Sequence, residues 1–207
     1  IALLVDDTLN VFAGDTREWF LAELEKEFDQ SPESDADSNT TEFAGYEITQ
    51  HDTLDRAEIR TPKSYTRLVN VLDAMGLQHL YLDPATTPLP SGGIERMEQS
   101  IIDKHEFVPT EEFSVRTIAG ALSWITLANR PAEVHSLASV LRFMHAQTAA
   151  VVEACKHFAS WLLGTRDDPL VFVATEEMVT AIFGDSPHAN DRLTSRGYIG
   201  RLLRVGI

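Results

Sequence analysis

The sequence predicts an α+β fold. Three observations point to it. Short apolar runs broken by polar turns stand near both ends of the chain. Between them, over residues 109–164, apolar residues recur at helical spacing. A Pro- and Gly-rich stretch, HLYLDPATTPLPSGG, separates the mixed front from this helical middle.

The elements follow in order. Residues 1–5 read as a buried strand and residues 9–13 as its partner, with Asp6, Asp7 and Thr8 near the turn. Asp15 is a helix N-cap, and TREWFLAELEKEF places Trp19, Phe20, Leu24 and Phe28 on one side. DQSPESDADSNTTE is polar and acidic and reads as a solvated loop. FAGYEIT and RAEIRT read as two short strands with a polar turn between them. Pro62 opens a helix whose apolar face is Tyr65, Leu68, Val69, Leu72 and Met75, with Gly76 as its stop. Three helices then follow from TEEFSVRTIAGALSWITLA, PAEVHSLASVLRFMHA and TAAVVEACKHFASWLLG. PLVFVAT, VTAIFGDS and GYIGRLLRVGI read as strands.

Composition bounds the function. The chain has 207 residues, enough to bury a sizeable core, and 17 Lys and Arg against 32 acids, a net charge of −15. Half of those acids precede Arg60, while Arg192, Arg196, Arg201 and Arg204 reverse the sign near the end. Proteins that hold nucleic acid usually present a basic track, because phosphate neutralisation supplies much of the affinity. The acidity reads as a solvated surface. No apolar run is long enough to span a bilayer, so no membrane partner is expected. One cysteine, Cys155, excludes an internal disulfide framework. It fits an intracellular setting, cytoplasmic or nuclear, and reads as a core residue.

Three features have both a functional and a bland reading. Carboxylates on a rigid turn suit Mg²⁺, a hard ion that prefers oxygen ligands, and two such ions can clamp a phosphoryl transfer. Asp6 and Asp7 are therefore candidate catalytic and metal-binding residues, although VDD alone reads first as a polar turn. His135, His145 and His157 are spaced by ten and twelve, which is not the i, i+4 pair of a helical metal site. Trp124 and Trp161 read as core of the helical middle rather than as base-stacking platforms.

The ordered set of motifs is more specific than any member. LLVDDTLNVFAGD followed by a helix ending ELEKEF resembles the catalytic hairpin of the reverse transcriptase of copia-type retrotransposons. There, Tyr-Val-Asp-Asp precedes an apolar strand and a helix. FAGYEI resembles the family's Phe-Leu-Gly segment, the primer-grip hairpin, which makes Phe43, Gly45 and Tyr46 primer-grip-like. PKSYTRLVNVLDAMGL, TTPLP, VRTIAGALSWITLANRPAEVHSLASVLRFMHAQT and FASWLLGTRDDPLVF are similar to the segments that follow in the family. FGDSPHANDRLTSRGYIG is similar to the first hairpin of its RNase H domain.

The resemblance implies an architecture. Residues 1–80 would be the C-terminal half of a palm, 81–94 a linker, 95–164 a helical thumb-like module, and 165–207 a connection and the first hairpin of an RNase H-like domain. It implies Mg²⁺ at Asp6 and Asp7, and Asp185 as the first RNase H acid. The family's third polymerase aspartate lies upstream of the hairpin and its other RNase H acids lie downstream. Both metal sites are then incomplete in this chain, because phosphoryl transfer depends on positioned ions. Two functions follow as expectations. One is a non-catalytic binding or interaction module of reverse-transcriptase ancestry, with a protein partner or a second copy. The other is a fragment of an active RNA-directed DNA polymerase that contacts nucleic acid in the intact polyprotein. The helical middle offers few cations to phosphate, chiefly Arg116, Arg130, Arg142 and Lys156.

Overall fold

A computed structural model describes residues 2–4, 7–9, 16–27, 39–51, 56–111, 113–173, 180–185 and 200–205. The strands and helices run β1 (Ala2–Leu4), β2 (Asp7–Leu9), α1 (Thr16–Glu27), β3 (Thr40–Phe43), β4 (Tyr46–Gln50), β5 (Arg56–Arg60), α2 (Pro62–Ala74) and α3 (His79–Leu82). They continue with α4 (Gly93–Ile102), α5 (Val115–Asn129), α6 (Val134–Phe143), α7 (Ala149–Gly164), β6 (Leu170–Val173), β7 (Thr180–Asp185) and β8 (Gly200–Val205). The fold is mixed α+β. No described helix is long and apolar enough to cross a membrane.

The core is helical. In α5 the positions Val115, Ile118, Leu122 and Ile125 repeat at three and four residues and are fully buried. Ser114 starts this helix by accepting a hydrogen bond from the Thr117 amide at 3.3 Å. In α7, Val151, Cys155, Phe158 and Leu162 form the matching stripe, and α2 contributes Tyr65, Leu68 and Leu72. Leu137, Val140 and Phe143 of α6 and Met97 of α4 complete one continuous cluster. α2 ends in a Schellman turn: the Leu77 amide donates to the Leu72 carbonyl at 2.9 Å and the Gly76 amide to the Asp73 carbonyl at 3.0 Å. The turn delivers Leu77 to the core.

Polar contacts set how the helices meet. Arg142 of α6 pairs with Glu98 of α4 at 3.1 Å, both well buried. Ser100 Oγ and Thr148 Oγ1 share a hydrogen bond of 2.7 Å between α4 and the start of α7. Arg130 donates to the Thr165 carbonyl at 3.1 Å and pairs with Glu133 at 3.0 Å, which ties the α5–α6 corner to the end of α7.

The Pro- and Gly-rich stretch expected as a linker is laid along α7. The Ala85 amide donates to Ser160 Oγ at 2.9 Å, and that hydroxyl donates to the Leu80 carbonyl at 2.7 Å. His157 Nε2 stands 2.9 Å from the Thr87 carbonyl, so this nitrogen carries the proton. The approach is close enough that a Cβ on Gly164 would lie 2.5 Å from Pro84 Cβ. Glycine there lets the stretch touch the helix.

The four-stranded antiparallel sheet runs β3-β4-β5-β6. β6, which follows α7, returns to pair with β5, with Glu58 opposite Val171. β1 pairs with β2 and β7 with β8, both antiparallel. Four expectations are corrected. The partner of β1, expected over residues 9–13, is Asp7–Leu9: Asp7 and Thr8 belong to the ladder, opposite Leu4 and Leu3, rather than to the turn. FAGYEIT is not one strand but a hairpin, since Ala44 and Gly45 both take positive φ, 54° and 82°. Trp19, expected on the apolar side of α1, is 64% exposed, and Trp124, expected in the core, is 65% exposed. Phe28 lies outside the described residues.

Glu58 on β5 is ringed by Arg56 at 2.6 Å, Arg60 at 3.1 Å and the His51 ring at 3.3 Å. The Arg60 hydrogen bond, with His51 and Arg56 adding to it against desolvation, holds its carboxyl below the ordinary carboxylate range. The stability this carries is complete above the unfolded value of 4.5 and is lost as pH falls through the depressed folded value. Glu58→Gln is therefore expected to lower the urea midpoint by a constant amount above that pH. The gap between the two chains should narrow at lower pH; a gap that widens there would contradict the ion cluster.

Candidate functional site

The turn between β3 and β4 is built from sequence upward. A two-residue connection with both φ positive matches the right-handed twist of the paired strands, which is the geometry of a type I′ turn. Gly45 adopts it freely. Ala44 does so against its Cβ, a conformation that costs an L-residue on the order of 1 kcal/mol. Strain of this kind concentrates at functional sites. Phe43 and Tyr46 are the last ladder pair and close the turn.

This turn forms one wall of a cleft of ≈ 180 Å³, to which it contributes Ala44, Gly45 and Tyr46. The first turns of α2 contribute Thr61, Lys63, Ser64 and Arg67. α5 contributes Ala121, Trp124 and Ala128, which repeat at three and four residues along the flank of the buried stripe; Ala121 is itself buried and Trp124 is exposed. Thr61 Oγ1 donates to Asn129 Oδ1 at 3.2 Å, locking the start of α2 to the end of α5.

The cleft joins charge to a flat aromatic surface. Lys63 and Arg67 stand four residues apart, hence on one side of α2. Lys63 is paired with Glu42 of β3, and Arg67 is exposed with no ion pair among the described residues. Trp124 presents its ring to solvent. Cations beside an exposed indole suit a strand of phosphates and bases, since phosphates take the cations and bases stack on the ring. Behind the cleft Tyr65 is buried, and desolvation pushes its hydroxyl up to about 12. Burial does the same to the Cys155 thiol, also to about 12, so neither group is an acid, base or nucleophile near neutral pH.

The residues singled out in the sequence are placed as follows. Gly45 and Tyr46 line the cleft and Phe43 closes the turn behind them. Asp7 opens β2 opposite Leu4, and Asp185 ends β7 opposite Gly200. Asp6 lies outside the described residues. Among the described residues no three His, Cys, Asp or Glu side chains gather as a metal site. The cations of the helical middle are largely committed elsewhere. Arg130 and Arg142 hold buried ion pairs, and Lys156 Nζ sits 4.9 Å above the Phe113 ring, which leaves Arg116 exposed. Sequence reasoning missed Lys63 and Arg67 and assigned Trp124 to the core. The i, i+4 cations after Pro62 were a visible signal, but the partner surface on α5 was not.

Comparison with protein-family models, curated proteins and solved structures found no match to this chain.

The outer and inner stripes of α5 should respond differently to truncation. Trp124→Ala is expected to change unfolding free energy by no more than about 0.5 kcal/mol, and Leu122→Ala to cost about 2–5 kcal/mol. Urea denaturation of both variants checks this. A large loss at Trp124 would mean the indole is part of the core.

Proposed function

We propose that the chain is a segment of copia-type reverse-transcriptase ancestry that works as a binding module, and that a nucleic-acid strand lies in the cleft between the β3–β4 turn, α2 and α5. One observation carries this reading: Lys63, Arg67 and Trp124 converge on the turn that holds the primer-grip-like Gly45 and Tyr46. The collinear order of the sequence motifs supports it. The commitment of Arg130, Arg142 and Lys156 to internal contacts leaves Arg116 as the exposed cation of α5 and favours the cleft as the contact. With a net charge of −15 and two cations at the site, affinity is weak and salt-dependent.

The test is fluorescence anisotropy of a labelled primer–template across a salt series. Each neutralised phosphate contributes about −0.9 to the slope of log K against log salt on duplex DNA. Lys63→Ala/Arg67→Ala should weaken binding and flatten that slope by about 2. An unchanged slope would place the contact elsewhere.

A second reading, a fragment of an active polymerase, is favoured by one feature. β1 and β2 form an antiparallel hairpin in which Asp7 lies opposite Leu4, so Asp6 and Asp7 stand at its closed end in sequence. Two carboxylates there have the oxygen chemistry that Mg²⁺ takes, and the ion would supply charge to stabilise a phosphoryl transfer. This chain's part would be to hold the carboxylates on a short, paired turn. Calorimetric titration of Mg²⁺ is expected to show binding that disappears in Asp6→Asn/Asp7→Asn. Equal heats from both chains would leave the aspartates as a polar turn.

A further inference from the structure

Glu42 stands outside the cleft, yet its carboxylate pairs with Lys63, which lines it. The strand register explains why this carboxylate needs a cation. Glu42 lies directly opposite Glu47 on β4, a like-charge pair on one face of the sheet, which is unfavourable. Glu47 lies opposite Arg60 on β5. That arginine is already engaged: it donates to Glu58 at 3.1 Å and to the Asp167 carbonyl at 2.8 Å. Lys63 is thus the cation that offsets Glu42. Both partners are exposed, with side chains 67% and 56% accessible, so the pair is weak and open to exchange with an incoming anion.

We propose that Glu42 is a built-in competitor for the cleft, occupying Lys63 until a ligand carrying several phosphates displaces it. The inference rests on the reading of the cleft as a phosphate-binding surface and names the ligand class that surface selects. A single phosphate gains Arg67 and meets the Glu42 carboxylate beside Lys63. A strand gains Arg67 with one phosphate and takes Lys63 from Glu42 with the next, because the two cations lie one helical turn apart, about 5–6 Å between Cβ atoms. Glu42 therefore raises the threshold against small anions and lets a polyphosphate backbone through, a case of selectivity by repulsion.

The experiment is a double-mutant cycle on the full chain with Glu42→Gln, Lys63→Ala and both together. Binding of a fluorescein-labelled single-stranded oligonucleotide is read by anisotropy at fixed salt. Glu42→Gln is expected to tighten binding about two- to five-fold. In the Lys63→Ala background that gain should fall by at least about half, because Glu42 acts through Lys63. Inorganic phosphate is then added as a competitor and should displace the oligonucleotide more readily from Glu42→Gln than from the native chain. An equal gain in both backgrounds would reduce Glu42 to general surface charge and overturn the proposal. Native and Glu42→Gln chains that bind equally well would also overturn it, while leaving the cleft as the binding site. Binding by Glu42→Gln alone would support it. Binding by neither would overturn both the proposal and the reading of the cleft.

Discussion

The burial of α5 is the constraint on which the rest depends. Val115, Ile118, Leu122 and Ile125 are fully buried, and the helix touches α2, α6 and α7. A buried Leu or Ile side chain contributes about 1.5–3 kcal/mol, so this one stripe is a major part of what orders the helical layer. Because the inner face of α5 is fixed by packing, its outer face is fixed too. Ala121, itself a core residue, and its neighbours Trp124 and Ala128 become a wall against which the β3–β4 turn and α2 close. The Thr61–Asn129 hydrogen bond then fixes the separation of α2 and α5 at one end.

Charge is sorted by the same packing. The helical middle contains arginines that a sequence reader would offer to phosphate, yet Arg130 and Arg142 are spent on holding helix ends together. Arg130 satisfies the carbonyl of Thr165 at the end of α7 and pairs with Glu133. Arg142 pairs with Glu98 in a place where neither charge would be stable alone. Among the described residues, more exposed charges are acidic than basic. The cleft stands out against that background because α2 lifts Lys63 and Arg67 outward on its polar side while Tyr65, Leu68 and Leu72 turn inward.

The sheet shows how a distant segment completes a local one. β3, β4 and β5 form a meander close in sequence, and β6 arrives from beyond α7 to pair with β5. This return brings the Asp167 carbonyl to Arg60 and so joins the sheet to the end of the helical layer. At the other end of the sheet the hairpin accepts Ala44 in a left-handed conformation. The turn that borders the cleft is thus both tight and strained, and its shape is set by the paired strands on either side.

The α+β class, the α2 apolar face and its Gly76 stop, the three helices after residue 114 and the strands β1, β6, β7 and β8 were legible in the sequence, since each is written in local periodicity and caps; the bounds of β2 were not. Gly45 and Tyr46 carried no local mark of the cleft they line. Tertiary structure decided the rest. A strand carries no local mark of its partner, so the pairing of β6 with β5 was invisible. Local pattern likewise hid the split of FAGYEIT at a turn that needs positive φ at an alanine. Trp124 has the same apolar character as its buried neighbours, and only the direction from which α2, α6 and α7 approach α5 leaves it outside. Lys63 and Arg67 look like ordinary surface cations on α2; they become a site because packing sets Trp124 and Tyr46 beside them. Periodicity states which face of an element is apolar, but not which other element that face, or the opposite one, will meet.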